Sequence, residues 1–142
     1  MRLWHKDLIC VLPREQLVAQ WRELSAIAGS IQQKGTPNHI LVNFILNYNY
    51  DHFISYAAEV RSEMTKRGYR TIDLVWNKIT SLKPDWSQLP HNEIYKEKMN
   101  NNYMVVCYWN LWEKFNCKGI SAIDFEKIEK IYNTLIRERN LD

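Results

Sequence analysis

The chain has 142 residues, of which 46% are hydrophobic, and its formal net charge is +3. Its first ten residues, MRLWHKDLIC, lack the apolar block of a signal peptide, and no stretch approaches the roughly 18 apolar residues that span a membrane. We therefore expect a soluble, intracellular protein in which residues 1–142 form a single cytoplasmic domain with one core.

The first predicted helix runs from about Pro13 to Gln33. Proline suits the first turn of a helix, and Gly35 with Pro37 ends it. The apolar side chains recur at helical spacing: Leu17, Trp21, Leu24, Ala28 and Ile31. This pattern predicts an amphipathic helix with one face in the core.

A second helix is predicted from Asp51, as its N-cap, to Gly68. The residues expected on its buried face are Phe53, Tyr56, Ala57, Val60 and Met64. The preceding segment ILVNFIL, residues 40–46, is predicted to be either a buried connector or a short helix. Residues 71–81 are predicted to form a short helix or a loop.

The C-terminal half begins with the segment LKPDWSQLPHN, which two prolines mark as a loop. A long helical stretch is predicted from about Asn92 to Phe115, with an interruption left open at residues 100–102. Its expected core stripe is Val105, Tyr108, Trp109, Trp112 and Phe115. A final helix follows Ser121, where SAID has the form of a capping box, and continues through Ile131 and Leu135. The whole pattern indicates a compact all-α fold.

Charge and cysteine content narrow the classes of partner. Residues 1–83 hold 11 Lys and Arg against 7 Asp and Glu, whereas residues 84–142 hold 8 against 9. This asymmetry permits a face on the N-terminal part that binds a polyanion. Cys10, Cys107 and Cys117 are odd in number and lack C-x-x-C spacing, so we expect three reduced and mostly buried thiols rather than disulfides or a zinc site.

The polar side of the first helix carries small residues between two charges. At about 100° per residue, Arg22 and Glu23 fall on opposite flanks of this side, with Ala19, Ala26 and Ser30 between them. Small side chains allow another backbone or a ligand to approach closely, although alanine is also simply a good helix former. The pattern therefore indicates either a functional groove or an ordinary solvated face.

The segments MRL, LVAQWRELSAIAGSI and EMTKRGY together resemble the pyrimidine-dimer DNA glycosylase family, typified by a small phage endonuclease. The resemblance is strongest over residues 1–33 and extends to residue 69. It implies an all-α domain whose N-terminal segment packs against the first helix. It also implies a DNA glycosylase with linked AP-lyase activity, which needs no metal or other cofactor and acts on double-stranded DNA containing a lesion.

Carried over to this sequence, the resemblance assigns the nucleophile to the α-amine of Met1 and the essential carboxylate to Glu23. Arg2 and Arg22 match the family's cations beside these two groups, whereas Gln16 and Ala26 stand where the family has His and Arg. An amine must be neutral to attack a sugar carbon, and α-amines lose their proton nearer to neutral pH than lysines do. Because Arg2 is large, we expect the initiator Met1 to be retained, so that its own amine would react.

Six cations are predicted to bind DNA phosphates on one face: Arg2, Arg22, Lys34, Lys66, Arg67 and Arg70. Three further residues are candidates for lining the site: His5, Ala19 and Ala26. A DNA-repair enzyme of this kind is expected to be a monomer associated with a bacterial or phage nucleoid.

The sequence lacks the motifs of several other classes of enzyme. His5, His39, His52 and His91 show no H-E-x-x-H or similar metal spacing, and the chain has no P-loop, no nucleophile elbow and no dinucleotide-binding fingerprint. The alternative that stays open is a non-catalytic module, which keeps the glycosylase fold and binds nucleic acid or protein. In that case Arg22 and Glu23 would be an exposed ion pair.

Overall fold

A computed structural model describes residues 1–141, with side-chain environments for residues 1–136. Its α-helices are α1 Arg14–Lys34, α2 Tyr50–Lys66, α3 Asp73–Thr80, α4 Asn101–Asn116 and α5 Ala122–Leu141. Short 3₁₀ helices lie at Lys6–Val11, Asn43–Asn47 and His91–Glu93. Residues 1–141 contain no strand, so the predicted all-α fold is confirmed.

Helix α1 agrees with the prediction to within one residue at each end. It is preceded by Pro13 and closed by Gly35, which has a left-handed φ of 73° and donates its N–H to the Ile31 carbonyl at 2.8 Å. Glycine adopts this conformation without strain, which explains why the helix ends there. The five predicted apolar side chains are all buried, and Gln20 is completely buried on the same face.

Helix α2 begins slightly earlier than predicted. Its N-cap is Asn49, whose Oδ1 accepts a hydrogen bond from the Asp51 N–H at 2.9 Å, so the prediction of Asp51 as the cap is wrong. The Asp51 carboxylate instead binds Lys83 Nζ at 3.0 Å and the Ser87 N–H at 3.1 Å. The start of α2 is thereby tied to the loop after α3. All five side chains predicted on the inner face of α2 are buried.

The apolar segment of residues 40–46 is only partly buried. Val42 and Ile45 are in the core, but Ile40 is 88% exposed, and Leu41 and Leu46 are also exposed. The prediction of a short helix is confirmed by the 3₁₀ helix Asn43–Asn47, whereas a wholly buried connector is wrong.

Helix α4 differs most from its prediction. It begins only at Asn101, because residues 94–100 form irregular turns and the side chain of Asn100 caps the helix by accepting from the Tyr103 N–H at 2.9 Å. The residues on its buried face are Tyr103, Met104, Cys107, Tyr108 and Leu111. The predicted core stripe is therefore wrong at Trp109 and Trp112, which are 50% and 37% exposed.

Ser121 caps α5 as predicted, since its Oγ accepts from the Asp124 N–H at 3.1 Å. The three cysteines are free thiols, but only Cys107 is buried, so the prediction of mostly buried thiols is wrong. Across the described residues, none of the helices has the length and apolar character needed to cross a membrane.

Candidate active site

Residues 1–4, which we call the N-terminal segment, are held through their backbone by buried side chains. Gln20 of α1 donates from Nε2 to the Arg2 carbonyl at 3.0 Å and accepts at Oε1 from the Trp4 N–H at 2.8 Å. The Tyr56 hydroxyl of α2 lies 2.6 Å from the Trp4 carbonyl and 2.9 Å from Gln20 Oε1, so both oxygens compete for its one hydrogen. Helices α1 and α2 thus fix the course of the segment.

A third helix holds the middle of the N-terminal segment. The Tyr103 hydroxyl of α4 donates a hydrogen bond to the Leu3 carbonyl. Leu3 is completely buried. Burial raises the pKa of Tyr103, while the nearby Arg2 charge opposes this effect. Burial also raises the pKa of Tyr56. Both hydroxyls therefore keep their hydrogens at neutral pH, and both remain donors to the segment.

An open cleft of about 710 Å³ runs along α1 beside the N-terminal segment. Its lining includes Trp4 from the segment, Gln16, Ala19, Arg22 and Glu23 from α1, and Lys114 from the last turn of α4. The predicted site residues Ala19, Arg22 and Glu23 therefore meet at one surface. We refer to it below as the α1 cleft.

The Glu23 carboxyl is half-buried in this cleft and surrounded by positive charge. Burial raises the pKa of Glu23, and the terminal amine, Arg22, His39 and Lys114 act to lower it, in that order of strength. Gln20 Nε2 also donates to Glu23 Oε2 at 3.2 Å. A carboxyl group with a raised pKa in a polar cleft can both stabilise a nearby cation and accept a proton.

The second of the two predicted catalytic groups is the α-amine of Met1. Gln20 Nε2 lies 3.0 Å from the Arg2 carbonyl and 3.2 Å from Glu23 Oε2, so the start of the chain runs close to this carboxyl, and the terminal amine is the strongest of the charges that act to lower the Glu23 pKa. Arg2 is partly exposed, with its guanidinium 5.9 Å from the centre of the Trp4 ring. Arg22 and Glu23 thus line the α1 cleft, whereas Met1 and Arg2 are not among the residues that line it. The Arg2 backbone is joined to Glu23 through the Gln20 amide.

The predicted cations outside this group have different surroundings. Lys34, Lys66 and Arg70 are exposed, and none of them lines the α1 cleft. Arg67 is largely occupied by the protein itself. Its guanidinium donates to Glu63 at 2.8 Å and to the carbonyls of residues 10 and 12 at 3.2 and 2.7 Å. Arg67 therefore fastens the end of α2 to the 3₁₀ helix Lys6–Val11.

Two of the candidate lining residues lie elsewhere. His5 is completely buried, with Nε2 at 3.0 Å from the Met99 carbonyl and Nδ1 accepting from the Asp7 N–H at 3.1 Å. It is therefore a core residue, and the prediction that it lines the site is wrong. Ala26 is exposed one turn beyond Arg22 and Glu23, and it is also outside the lining of the α1 cleft.

Four residues of this region were not predicted as part of the site: Gln20, Tyr56, Tyr103 and Lys114. Gln20 did carry a signal, because it is a polar residue at core spacing between Leu17 and Leu24. The two tyrosines have the pattern of ordinary core aromatics. Lys114 belongs to the part of the chain without resemblance to the family, so only the fold brings it to Glu23.

Among the side chains of residues 1–136, no group of three or more His, Cys, Asp or Glu is arranged to hold a metal ion.

Comparison with known proteins gives one match. The sequence model of the family described as pyrimidine dimer DNA glycosylase matches residues 1–78. This range contains the N-terminal segment, α1, α2 and most of α3, and with them Arg22, Glu23 and Gln20. No curated protein and no solved structure matches the chain.

Proposed function

The chain belongs to the pyrimidine dimer DNA glycosylase family, and from this premise we propose that it removes damaged pyrimidines through an imine on the Met1 amine and then cuts the strand as an AP lyase. The family itself supports an enzyme of DNA repair that acts on pyrimidine dimers. The covalent intermediate, the linked lyase step and the residue roles are part of the proposal.

One observation carries the proposal. The backbone of the N-terminal segment is hydrogen-bonded to buried side chains of three helices, and Gln20 Nε2 lies 3.0 Å from the Arg2 carbonyl and 3.2 Å from Glu23 Oε2, which brings the start of the chain close to this carboxyl. Most chain termini are poorly ordered unless they are tied down. A terminus fastened beside a half-buried carboxyl in an open cleft is the arrangement that an amine nucleophile requires.

The chemistry follows from these two groups. The neutral amine attacks C1′ of the damaged nucleotide, and the glycosidic bond breaks as the base leaves. Opening of the sugar gives an imine between C1′ and the amine nitrogen. The Glu23 carboxylate stabilises the positive charge of this intermediate and accepts a proton from C2′. Loss of that proton expels the 3′ phosphate and cuts the strand, after which water releases the sugar.

The cations of the α1 cleft would hold the DNA around this step. Arg22 and Lys114 line the cleft together with Glu23, and Arg2 follows the reactive residue directly. Contacts between such side chains and phosphates position the duplex without reading its sequence. Because C1′ is not accessible inside a regular duplex, binding must also distort the DNA or turn a nucleotide outward.

The test is reductive trapping with borohydride on duplexes that carry one pyrimidine dimer or one abasic site. We expect a covalent protein–DNA adduct that maps to the terminal nitrogen. Glu23→Gln should slow strand cleavage by about 100-fold or more, the usual scale for losing a positioned acid–base group, with nearly unchanged DNA binding. An uncleaved N-terminal extension should act in the same way, because it displaces the amine.

Glu126→Gln provides the matched control, since Glu126 is an exposed carboxylate of α5 paired with Lys130. It should cleave at the wild-type rate. An adduct on a lysine, or undiminished cleavage by the extended protein, would refute the role of Met1. Binding of lesion DNA without any adduct or cleavage would favour the alternative of a non-catalytic DNA-binding module.

A further inference from the structure

Gln20 occupies an unusual place for an amide side chain. It is completely buried at a position where the helical spacing of α1 would otherwise put an apolar residue. Burying an amide is unfavourable unless its polar atoms are hydrogen-bonded. Here both ends of the amide are used, and all of their partners belong to the N-terminal segment, to Tyr56 or to Glu23.

The partners determine which way the amide points. Oε1 lies 2.8 Å from the Trp4 nitrogen, which can only donate, so this atom must be the oxygen. Nε2 then lies 3.0 Å from the Arg2 carbonyl and 3.2 Å from Glu23 Oε2, both of which accept. An amide nitrogen has two hydrogens and can serve both acceptors. The hydrogen-bond pattern therefore allows one orientation only.

One amide group thus joins the two halves of the proposed reaction centre. Its nitrogen holds the carbonyl of Arg2, one residue after the amine, and it also holds one carboxylate oxygen of Glu23. A hydrogen bond donated to a carboxylate favours the charged form. With Oε2 engaged by Gln20, the other oxygen of Glu23 is left for the substrate.

We propose that Gln20 is a positioning residue, which sets the placement of the Met1 amine relative to Glu23 and keeps the Glu23 carboxylate ionised. This inference rests on the proposed function for its catalytic meaning. The charged and titratable groups that act on Glu23 are the terminal amine, Arg22, His39 and Lys114 of α4. None of them links Glu23 to the backbone of the N-terminal segment as Gln20 does.

Two substitutions separate the roles of the amide. Gln20→Glu keeps the size and the acceptor for Trp4 but replaces the nitrogen donor by an oxygen beside Glu23. Two neighbouring carboxyl groups cannot both ionise easily, so the acid limb of the pH–rate profile should move to higher pH by on the order of one pH unit. Gln20→Leu removes every hydrogen bond and should slow borohydride trapping by about 10-fold or more, because the amine is no longer held.

Gln32 provides the matched control on the same helix. Its Nε2 donates to the Lys78 carbonyl at 3.1 Å and to Ser81 Oγ at 2.5 Å, so it also joins α1 to another element through its amide. Gln32→Glu and Gln32→Leu should leave the pH–rate profile and the trapping rate unchanged. A purely structural role for Gln20 would lower the melting temperature without moving the acid limb.

A second measurement keeps the test independent of activity. The titration of the Glu23 carboxyl can be followed by carbon-13 NMR in the free wild-type protein and in Gln20→Glu, which preserves side-chain volume. We expect the Glu23 titration to move to higher pH in the variant. If wild type fails to trap DNA while this shift occurs, the proposed function falls and the electrostatic part of the inference survives. If wild type traps at Met1 and both Gln20 variants titrate and react like wild type, the inference is overturned and the function stands.

Discussion

His91 joins three parts of the chain through short hydrogen bonds. Its Nε2 lies 2.6 Å from the Asp7 carboxylate, and its Nδ1 lies 2.7 Å from the Glu59 carboxylate. These bonds connect the 3₁₀ helix Lys6–Val11, α2 and the 3₁₀ helix His91–Glu93 that precedes α4. Burial acts to lower the pKa of His91, but the hydrogen bonds to the two carboxylates outweigh it and raise the pKa.

This geometry predicts that stability falls as the pH rises through neutrality. The pKa of His91 is higher in the folded than in the unfolded protein, so its contribution is complete below the unfolded-state pKa and is lost as the pH rises through the folded-state pKa. Between roughly pH 6 and 8, the melting temperature should therefore decline. His91→Gln should reduce this decline, whereas His39→Gln should preserve it. Parallel curves for wild type and His91→Gln would contradict the prediction.

Tyr103→Phe tests how firmly a single hydroxyl holds the N-terminal segment. The substitution leaves the buried Leu3 carbonyl without its donor, which should lower the free energy of unfolding by about 1–3 kcal/mol. Trapping at Met1 should slow as well. Tyr132→Phe is the control, since Tyr132 is a tyrosine of α5 that stacks on Tyr108. Urea denaturation measures the stabilities, and equal values for the two variants would argue against a role for the Tyr103 hydroxyl.

Residue types alone identified only part of the candidate site. Arg22 and Glu23 could be predicted because they lie one after the other on a helix with a clear apolar stripe, and the structure brings both to the α1 cleft. Gln20 and Tyr103 act on backbone atoms of the N-terminal segment. The core spacing of Gln20 marks it as an unusual polar residue, but the backbone atoms that it and Tyr103 bind leave no pattern in the sequence, because a backbone carbonyl is the same for every residue.

At the scale of elements, the buried face was predicted well for helices that have one apolar and one polar face, but it was predicted poorly for α4. Helices α1 and α2 each have a single apolar stripe, so the spacing determines which side is buried. In α4, large apolar residues occur on every side, including Trp109, Trp112 and Leu111. Periodicity cannot select a face in such a sequence. The choice depends on which side meets the N-terminal segment and α5, and only the folded chain supplies that information.

The correction to α4 can be tested by comparing two substitutions. Leu111 is completely buried, so Leu111→Ala should lower the free energy of unfolding by about 2–5 kcal/mol. Trp109 is half exposed and contacts Tyr108 and Trp112 at its edges, so Trp109→Ala should cost only about 1 kcal/mol. Guanidinium denaturation gives both values. If the core stripe predicted from the sequence were correct, Trp109→Ala would instead lower the free energy of unfolding more than Leu111→Ala does.

At the scale of the whole molecule, the α1 cleft depends on more of the chain than the family match covers. The match ends at residue 78, yet Tyr103 fastens the N-terminal segment and Lys114 lines the cleft. The part of α4 that performs these roles has no recognisable resemblance to the family. A sequence comparison can thus identify the chemistry of α1 while missing the helix that completes its cleft.

The charge of the cleft leads to a prediction for DNA binding. Each phosphate contact releases condensed counterions, so the logarithm of duplex affinity should fall linearly with the logarithm of salt concentration, with a slope of about −0.9 per contact. Arg22 and Lys114 line the cleft, so replacing both by Ala should flatten this slope by about two. Lys130→Ala is the control, because this side chain is 76% exposed on α5 and does not line the α1 cleft.

The salt dependence of duplex affinity should also distinguish three other cations that were predicted to bind DNA, which are Lys66, Arg67 and Arg70. Lys66 and Arg70 are exposed, so each should change the slope by about one if the DNA extends from the cleft to the end of α2. Arg67→Ala should instead lower the melting temperature, because its guanidinium is bonded to Glu63 and to two carbonyls. Fluorescence anisotropy between 50 and roughly 200 mM salt would measure the slopes. The opposite result is that Lys66→Ala and Arg70→Ala change the slope and the Arg22 and Lys114 substitutions do not. The DNA would then bind outside the α1 cleft, and the basis for catalysis in that cleft would be lost.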